Sequence, residues 1–249
     1  TVRNMYLENK PSVSDLSHAI DSLWSYSFEG QGSETTSIFP DGSVDLIFKQ
    51  HQGKVELLLC GVMNQYRKVT HHHGDKLYGL RFKPGYAWAF INQPVHHTLN
   101  KLSVLETYFN SQVFDNLDFE ALDLEKFDNI IQDALYAKVG FQRLKQLNSQ
   151  AELLNTVVYG NVSDVAALQG YSRRNFLRRF KMMYGLSPRD FANIKRLNDF
   201  RTYHQSFGDM PLSILSIELG YYDQAHMTRS IKQLTGLTPQ VLLSQSYNT

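Results

Sequence analysis

A chain of 249 residues, 42% hydrophobic and 20% charged, has enough apolar material for two ordinary globular cores. It contains no run of 18 apolar residues, so no transmembrane helix is expected. The net charge of +1 hides a division: residues 1–149 carry 14 Lys+Arg against 17 Asp+Glu, and residues 150–249 carry 11 against 7. Between Tyr171 and Arg201, nine basic residues accompany two acidic ones. Such a balance suits a polyanionic partner, and equally a plain solvated face. The single cysteine, Cys60, excludes an intrachain disulfide and fits a reducing cytoplasm. No apolar stretch follows Thr1–Met5, so no signal peptide is expected.

In chain order, the first half is rich in strand patterns. Trp24–Phe28 alternates apolar and polar residues, and Val44–Phe48, Val55–Cys60 and Leu77–Phe82 are short apolar runs. Asp41-Gly42, Gly53 and Gly74-Asp75 supply the turns between them. This spacing predicts an antiparallel sheet or small barrel, with Cys60 as a buried strand thiol. Beyond Pro84-Gly85 the pattern predicts short helices over Tyr86–Ile91 and Ser103–Phe109. Longer helices are predicted over Phe119–Ala137 and Phe141–Tyr159, where apolar residues recur near every 3.6 positions. The expected fold class is α+β. A β-rich, barrel-like regulatory domain with trailing helices is placed over residues 1–140, and an all-α domain over residues 141–249.

The second half repeats itself. The segment Val162–Pro188 matches Leu212–Pro239, at an offset of 50 up to Gly170/Gly220 and of 51 from the next helix onward. Each copy reads as helix-turn-helix. Asn161 caps the first helix of copy one, and Pro211 opens that of copy two. Ala166 and Ser216 are small where helices cross. Gly170 and Gly220 occupy the left-handed position after the first helix. Ser172 and Asp223 cap the second helix, whose buried stripe is Phe176, Phe180 and Met183 in one copy and Met227, Ile231 and Leu234 in the other. Between the copies, Pro188–His204 predicts one helix burying Phe191, Ile194, Leu197 and Phe200, with Arg189, Lys195, Arg196 and Arg201 exposed.

The outward residues of the second helix carry the candidate chemistry. Copy one presents Arg173, Arg174, Asn175, Leu177, Arg178 and Lys181; copy two presents Gln224, Ala225, His226, Thr228, Arg229 and Lys232. Arg forms bidentate bonds to guanine and Gln to adenine, while Lys and outlying Arg suit phosphates. Two helical hairpins with merely polar outer faces would explain the periodicity, but not the duplicated turn glycines together with the basic helix. Double-stranded DNA is therefore the expected partner. A 17-residue connecting helix spans about 25 Å, which would set the two second helices roughly 34 Å, or one DNA turn, apart.

At these positions the sequence resembles the AraC/XylS family of bacterial transcription regulators. The resemblance covers roughly Glu152–Leu243 and rests on Gly-Tyr-Ser-x-Arg-x-Phe-x-Arg-x-Phe in copy one. In copy two it rests on Gly-Tyr-Tyr-Asp-Gln-x-His-Met-x-Arg-x-Ile, followed by Gly-Leu-Thr-Pro. It implies that the second helix of each unit enters the major groove and that the long helix joins the units rigidly. It further implies base or phosphate contacts from Arg173, Arg174, Leu177 and Arg178, and from Asp223, Gln224, Ala225, Thr228 and Arg229. Ile231 departs from the usual Phe, and Leu177 from a commonly polar position. Ile38–Phe48 and Gly79–Gly85 resemble a barrel-like sensor domain found before this unit. That likeness implies a domain that senses a signal, dimerises, or both. A small-molecule effector, RNA polymerase and a second copy of the chain stand as further candidate partners.

Other chemistry is thinner. His71-His72-His73 diverge in direction and are expected in a surface loop without metal; no cofactor is expected. Cys60 lacks a patterned base, no Gly-x-Ser-x-Gly occurs, and a cysteine-based alkyl-transfer domain is disfavoured. Arg81 is a candidate effector ligand, with pairing to Asp41 or Asp45 as the alternative, and Trp24 and Trp88 are candidate pocket residues. The expectation is thus a cytoplasmic regulator without catalytic activity. The rivals are a metal-dependent barrel enzyme carrying a DNA-binding tail and a regulator acting mainly through protein partners.

Overall fold

The computed structural model describes residues 5–12, 16–51, 54–91, 93–105, 118, 121–139, 160–207 and 210–244. Eight strands open the chain: β1 (Met5–Asn9), β2 (Ile20–Ser27), β3 (Ser33–Ile38), β4 (Val44–His51), β5 (Lys54–Cys60), β6 (Arg67–His72), β7 (Lys76–Phe82) and β8 (Leu102–Val104). Six form an antiparallel sheet in the order β1-β2-β7-β4-β5-β8, and β3 pairs with β6 as a separate ribbon. The register explains the two faces. Leu23, Leu80, Leu46 and Leu59 are aligned across four strands, each at most 1% exposed. One residue along, the row reads Ser22, Arg81, Asp45 and Cys60, because successive side chains point to opposite faces. The sheet therefore has an apolar face and a mixed polar face.

The apolar face is covered by short elements and one helix. 3-10 turns over Ala87–Ala89 and Val95–Thr98 follow Gly85, and Phe90 stacks on Phe82 at 4.8 Å. Helix α1 (Leu124–Val139) starts at Asp123, whose carboxylate accepts from Lys126 N–H at 2.8 Å. It inserts Phe127 against Phe48 and Tyr78, both at 5.4 Å. The helix expected over Ser103–Phe109 is corrected: Leu102–Val104 instead pair with Leu58–Cys60, closing an edge of the sheet. Residues 106–109 of that segment lie outside the described residues. Tyr86–Ile91 narrows to a single 3-10 turn. Phe141–Tyr159 and the division placed at residue 140 also lie outside the described residues.

Among the described residues, six helices follow: α2 (Val162–Leu168), α3 (Arg173–Tyr184), α4 (Pro188–Phe207), α5 (Leu212–Glu218), α6 (Gln224–Thr235) and α7 (Pro239–Ser244). The fold class is thus an N-terminal antiparallel sheet domain followed by a helical helix-turn-helix region, as expected. The two regions share one continuous apolar core that runs from Leu46 and Phe82 through Val95 to Phe180 and Phe191. Glycines permit the close approach. A Cβ at Gly85 would lie 2.0 Å from the Tyr184 ring, and one at Gly42 would lie 3.1 Å from Phe191. Asn198 Nδ2 donates to the Asp41 carbonyl at 3.3 Å, and Arg201 lies 5.9 Å over the Phe39 ring.

Candidate nucleic-acid interface

Each helix-turn-helix is assembled by local chemistry. Asn161 Oδ1 accepts from Ser163 N–H at 2.8 Å, and Pro211 stands at the matching position before α5. Gly170 and Gly220 hold φ of 70° and 74°, the left-handed region open to glycine. Ser172 Oγ then accepts from Asn175 N–H at 3.3 Å, and Asp223 Oδ1 from His226 N–H at 2.6 Å, starting α3 and α6 at equivalent points. Inside, Phe176 and Phe180 are buried in α3, and Met227, Ile231 and Leu234 in α6. The stripe of copy one ends differently from the sequence expectation. Tyr184, rather than Met183, takes the fully buried position, because it packs across the seam onto the N-terminal domain.

The outer faces are basic and open. Arg173, Arg174, Arg178 and Lys181 on α3 are exposed, as are Gln224, Ala225, Arg229 and Lys232 on α6. Among the described residues, none of these arginines or lysines has a carboxylate partner. Arg178 is steadied by its own helix: Nη2 donates to Asn175 Oδ1 at 3.0 Å. The other candidates are less free. Asn175, Leu177, His226 and Thr228 are half-buried. The His226 ring sits edge-on to Tyr221 at 5.5 Å, and Thr228 Oγ1 donates to the Gln224 carbonyl at 2.9 Å. Three basic residues expected to be exposed on α4 are partly engaged. Lys195 pairs with Asp199 at 2.5 Å, Arg196 lies over Tyr221 at 5.5 Å, and Arg201 faces Phe39. Sequence reasoning passed over Tyr222, 87% exposed immediately before the α6 cap. It is the extra residue behind the shift of the repeat offset from 50 to 51, so the signal was present.

The mixed face of the N-terminal sheet holds the candidate effector residues Arg81 and Trp24. Arg81 Nε donates to Asp45 Oδ1 at 3.1 Å and lies 3.5 Å from Asp41 Oδ2. The alternative of structural pairing is therefore the observed state. Burial lifts the Asp45 carboxyl up to about 6 against the pull of Arg81, with Asp41 adding repulsion. Trp24 lies flat on Gly79, where an added Cβ would meet the indole at 1.9 Å. Among the described residues, the hydroxyls of Ser22 and Tyr26 and Nδ1 of His71, buried on this side, have no hydrogen-bond partner. Trp88 does not join them; it packs against the apolar core instead. His71 and His72 belong to strand β6 rather than a surface loop: His71 points inward against Tyr26 at 4.4 Å, and His72 points out. Burial pushes the His71 pKa down. Among the described residues, no group of three or more His, Cys, Asp or Glu side chains is arranged to hold a metal ion.

Cys60 is buried, as expected for a strand thiol, and burial pushes its pKa up to about 12. A thiol reagent is therefore expected to leave the native protein unlabelled at neutral pH and to label it fully in denaturant. Rapid native labelling, read by mass spectrometry, would contradict the packing of this strand.

Comparison with known proteins places these features. Residues 165–245 match the family model described as "Helix-turn-helix domain", and residues 8–103 match "Domain of unknown function (DUF6597)". A search of characterised proteins by sequence returns no match. Among solved structures, the chain is similar to ToxT from Vibrio cholerae in its P21 crystal form. That similarity has 10% identity and a TM-score of 0.43, over 86% of this chain and 98% of that one. Unsaturated fatty acid bound wild-type ToxT from Vibrio cholerae strain SCE256 also has 10% identity and a TM-score of 0.43, over 97% and 96% of the two chains. Among the described residues no helix is long and apolar enough to cross a membrane.

Proposed function

We propose that this chain, which carries the double helix-turn-helix domain of the AraC/XylS family of transcription regulators, inserts α3 and α6 into two successive major grooves on one side of a DNA duplex. The observation that carries this reading is the pair of equivalent helices, each anchored by a buried apolar stripe and each presenting exposed basic side chains that have no carboxylate partner among the described residues. Arg173, Arg174 and Arg178 would contact base edges or phosphates from α3, with Leu177 supplying an apolar contact and Lys181 a phosphate contact. Asn175, which holds Arg178, would act beside it. Gln224, Ala225, Thr228 and Arg229 would read from α6, with His226 and Lys232 at its margins. Helix α4, 20 residues long, spans about 30 Å and would keep the units at a fixed separation.

In this proposal the N-terminal domain receives a signal and alters how the two units meet DNA or RNA polymerase, without catalysing a reaction, in the cytoplasm. A small-molecule effector is its proposed input, Arg81 and Trp24 its candidate ligands, and a second copy of the chain a candidate partner.

A salt titration of DNA binding tests the electrostatic part. Neutralising about six phosphates would give a slope near −5 in log affinity against log salt. A slope near zero would remove the basic faces from the interface.

A further inference from the structure

The equivalent C-terminal ends of the two DNA-facing helices touch one and the same loop of the N-terminal domain. α3 ends at Gly185 and α6 at Gly236, both left-handed C-caps at matching positions of the repeat. A Cβ placed on Gly185 would lie 2.4 Å from Val62 Cγ1, and one on Gly236 would lie 2.8 Å from the Tyr66 ring. Val62 and Tyr66 stand four residues apart in the segment 61–66 that joins β5 to β6.

That segment is braced. Asn64 N–H donates to Asn100 Oδ1 at 3.1 Å, and Asn100 Nδ2 donates back to Asn64 Oδ1 at 2.7 Å. Asn100 N–H also donates to the Val62 carbonyl at 2.8 Å, and Gly61 N–H to the Lys101 carbonyl at 3.0 Å. Among the described residues, Asn100 is the only non-glycine at positive φ, 55°, a conformation costing roughly 1 kcal/mol or more. Gly61 fits only because it lacks a side chain, since an added Cβ would sit 1.9 Å from the Thr98 carbonyl oxygen. A strained residue, a reciprocal amide pair and a close-packed glycine thus converge on these six residues.

We infer that loop 61–66 is a positioning element that fixes the spacing between the two DNA-facing helices, with Val62 seating the end of α3 and Tyr66 the end of α6. Val62 and Gly185 are buried, whereas Tyr66 is 38% exposed and Gly236 is exposed. The seat of α6 is therefore the less enclosed of the two. The loop's ends are Cys60 and Arg67, whose Nη1 and Sγ lie 3.9 Å apart, and Cys60 is aligned with Asp45 and Arg81 on the mixed face of the sheet. A shift in that row would reach α3 through Gly61 to Val62, and α6 through residues 61–65 to Tyr66. The DNA consequence rests on the function proposed above; the spacing claim does not.

The test measures the distance between α3 and α6 directly in the full-length protein. Met182 and Gln233 are exposed, occupy matching repeat positions and lie outside the proposed DNA contacts. Met182→Cys and Gln233→Cys receive spin labels, while buried Cys60 stays unlabelled. One narrow distance peak is expected in this background and in Tyr66→Phe. In Tyr66→Ala, and in Asn64→Ala, that single narrow peak is expected to be lost. The same proteins are then bound to DNA whose two subsites are separated by varied numbers of base pairs, and Tyr66→Ala should lose the preference for one spacing while keeping its melting temperature. An unchanged narrow peak in both alanine variants would overturn the inference and leave α4 as the sole spacer. A lost peak with no DNA binding by any protein would support the positioning role and overturn the DNA-reading proposal.

Discussion

Phe180→Ala is expected to lower stability by about 3–5 kcal/mol, a melting decrease of roughly 6–20 °C for a chain of this size. The size of the effect follows from where the ring sits. Phe180 stacks on Tyr184 at 4.3 Å and meets Phe176 and Phe191, each at 6.0 Å. Tyr184 in turn closes on Gly85 of the sheet domain. The residue therefore belongs to the second helix of the first helix-turn-helix and to the seam between the two halves at once. Removing it opens a cavity that α3 alone cannot collapse around, because α4 and the 3-10 turns hold the other walls. Thermal melting followed at one wavelength for strand and one for helix checks this: both signals should fall together. Alanine at the exposed Leu168 should stay within about 0.5 kcal/mol. Two well-separated transitions in the parent protein would show that the shared core does not couple the halves.

Arg178→Ala is expected to weaken binding to a cognate site by about 1–3 kcal/mol, roughly 5- to 150-fold, and to relax preference at one base pair. Among the described residues, Arg178 differs from Arg173 and Arg174 because Asn175 already holds its guanidinium. Less side-chain freedom is lost on binding, and the planar fork is presented in a fixed plane. Competition binding against cognate and random duplexes separates the outcomes. Equal losses on both would assign Arg178 to a phosphate rather than a base. Asn175→Ala, which releases the guanidinium without removing charge, should produce a smaller loss confined to the cognate site.

Much of this architecture is legible in the sequence, because the signals are local. Gly170, Gly220, Ser172 and Asp223 each act within one turn of helix, so spacing alone placed both helix-turn-helix units and their caps. Strands β4, β5 and β7 were legible from short apolar runs between turn glycines. The errors come from interactions distant in the chain. Leu102–Val104 pair with a strand more than forty residues earlier, which no helical window can see. Tyr184 displaced Met183 from the buried stripe because its neighbour is Gly85. His71 and His72 read as loop because their ribbon partner, β3, is itself weakly patterned. Lys195, Arg196 and Arg201 read as free surface because their partners Asp199, Tyr221 and Phe39 lie one turn away or on other elements. The effector candidates divided for the same reason. Trp24 and Arg81 share a face by register, whereas Trp88 faces the core.

The measurement that bears most directly on the central claim is hydroxyl-radical footprinting of this protein on a duplex selected from a random pool. Two protected patches one helical turn apart on the same side of the duplex, about 10 base pairs between centres, are expected. Both should shrink with rising salt, and the one assigned to α3 should vanish selectively in Arg178→Ala. A single patch, or protection spread without phase along any sequence offered, would contradict a protein that reads two grooves with α3 and α6.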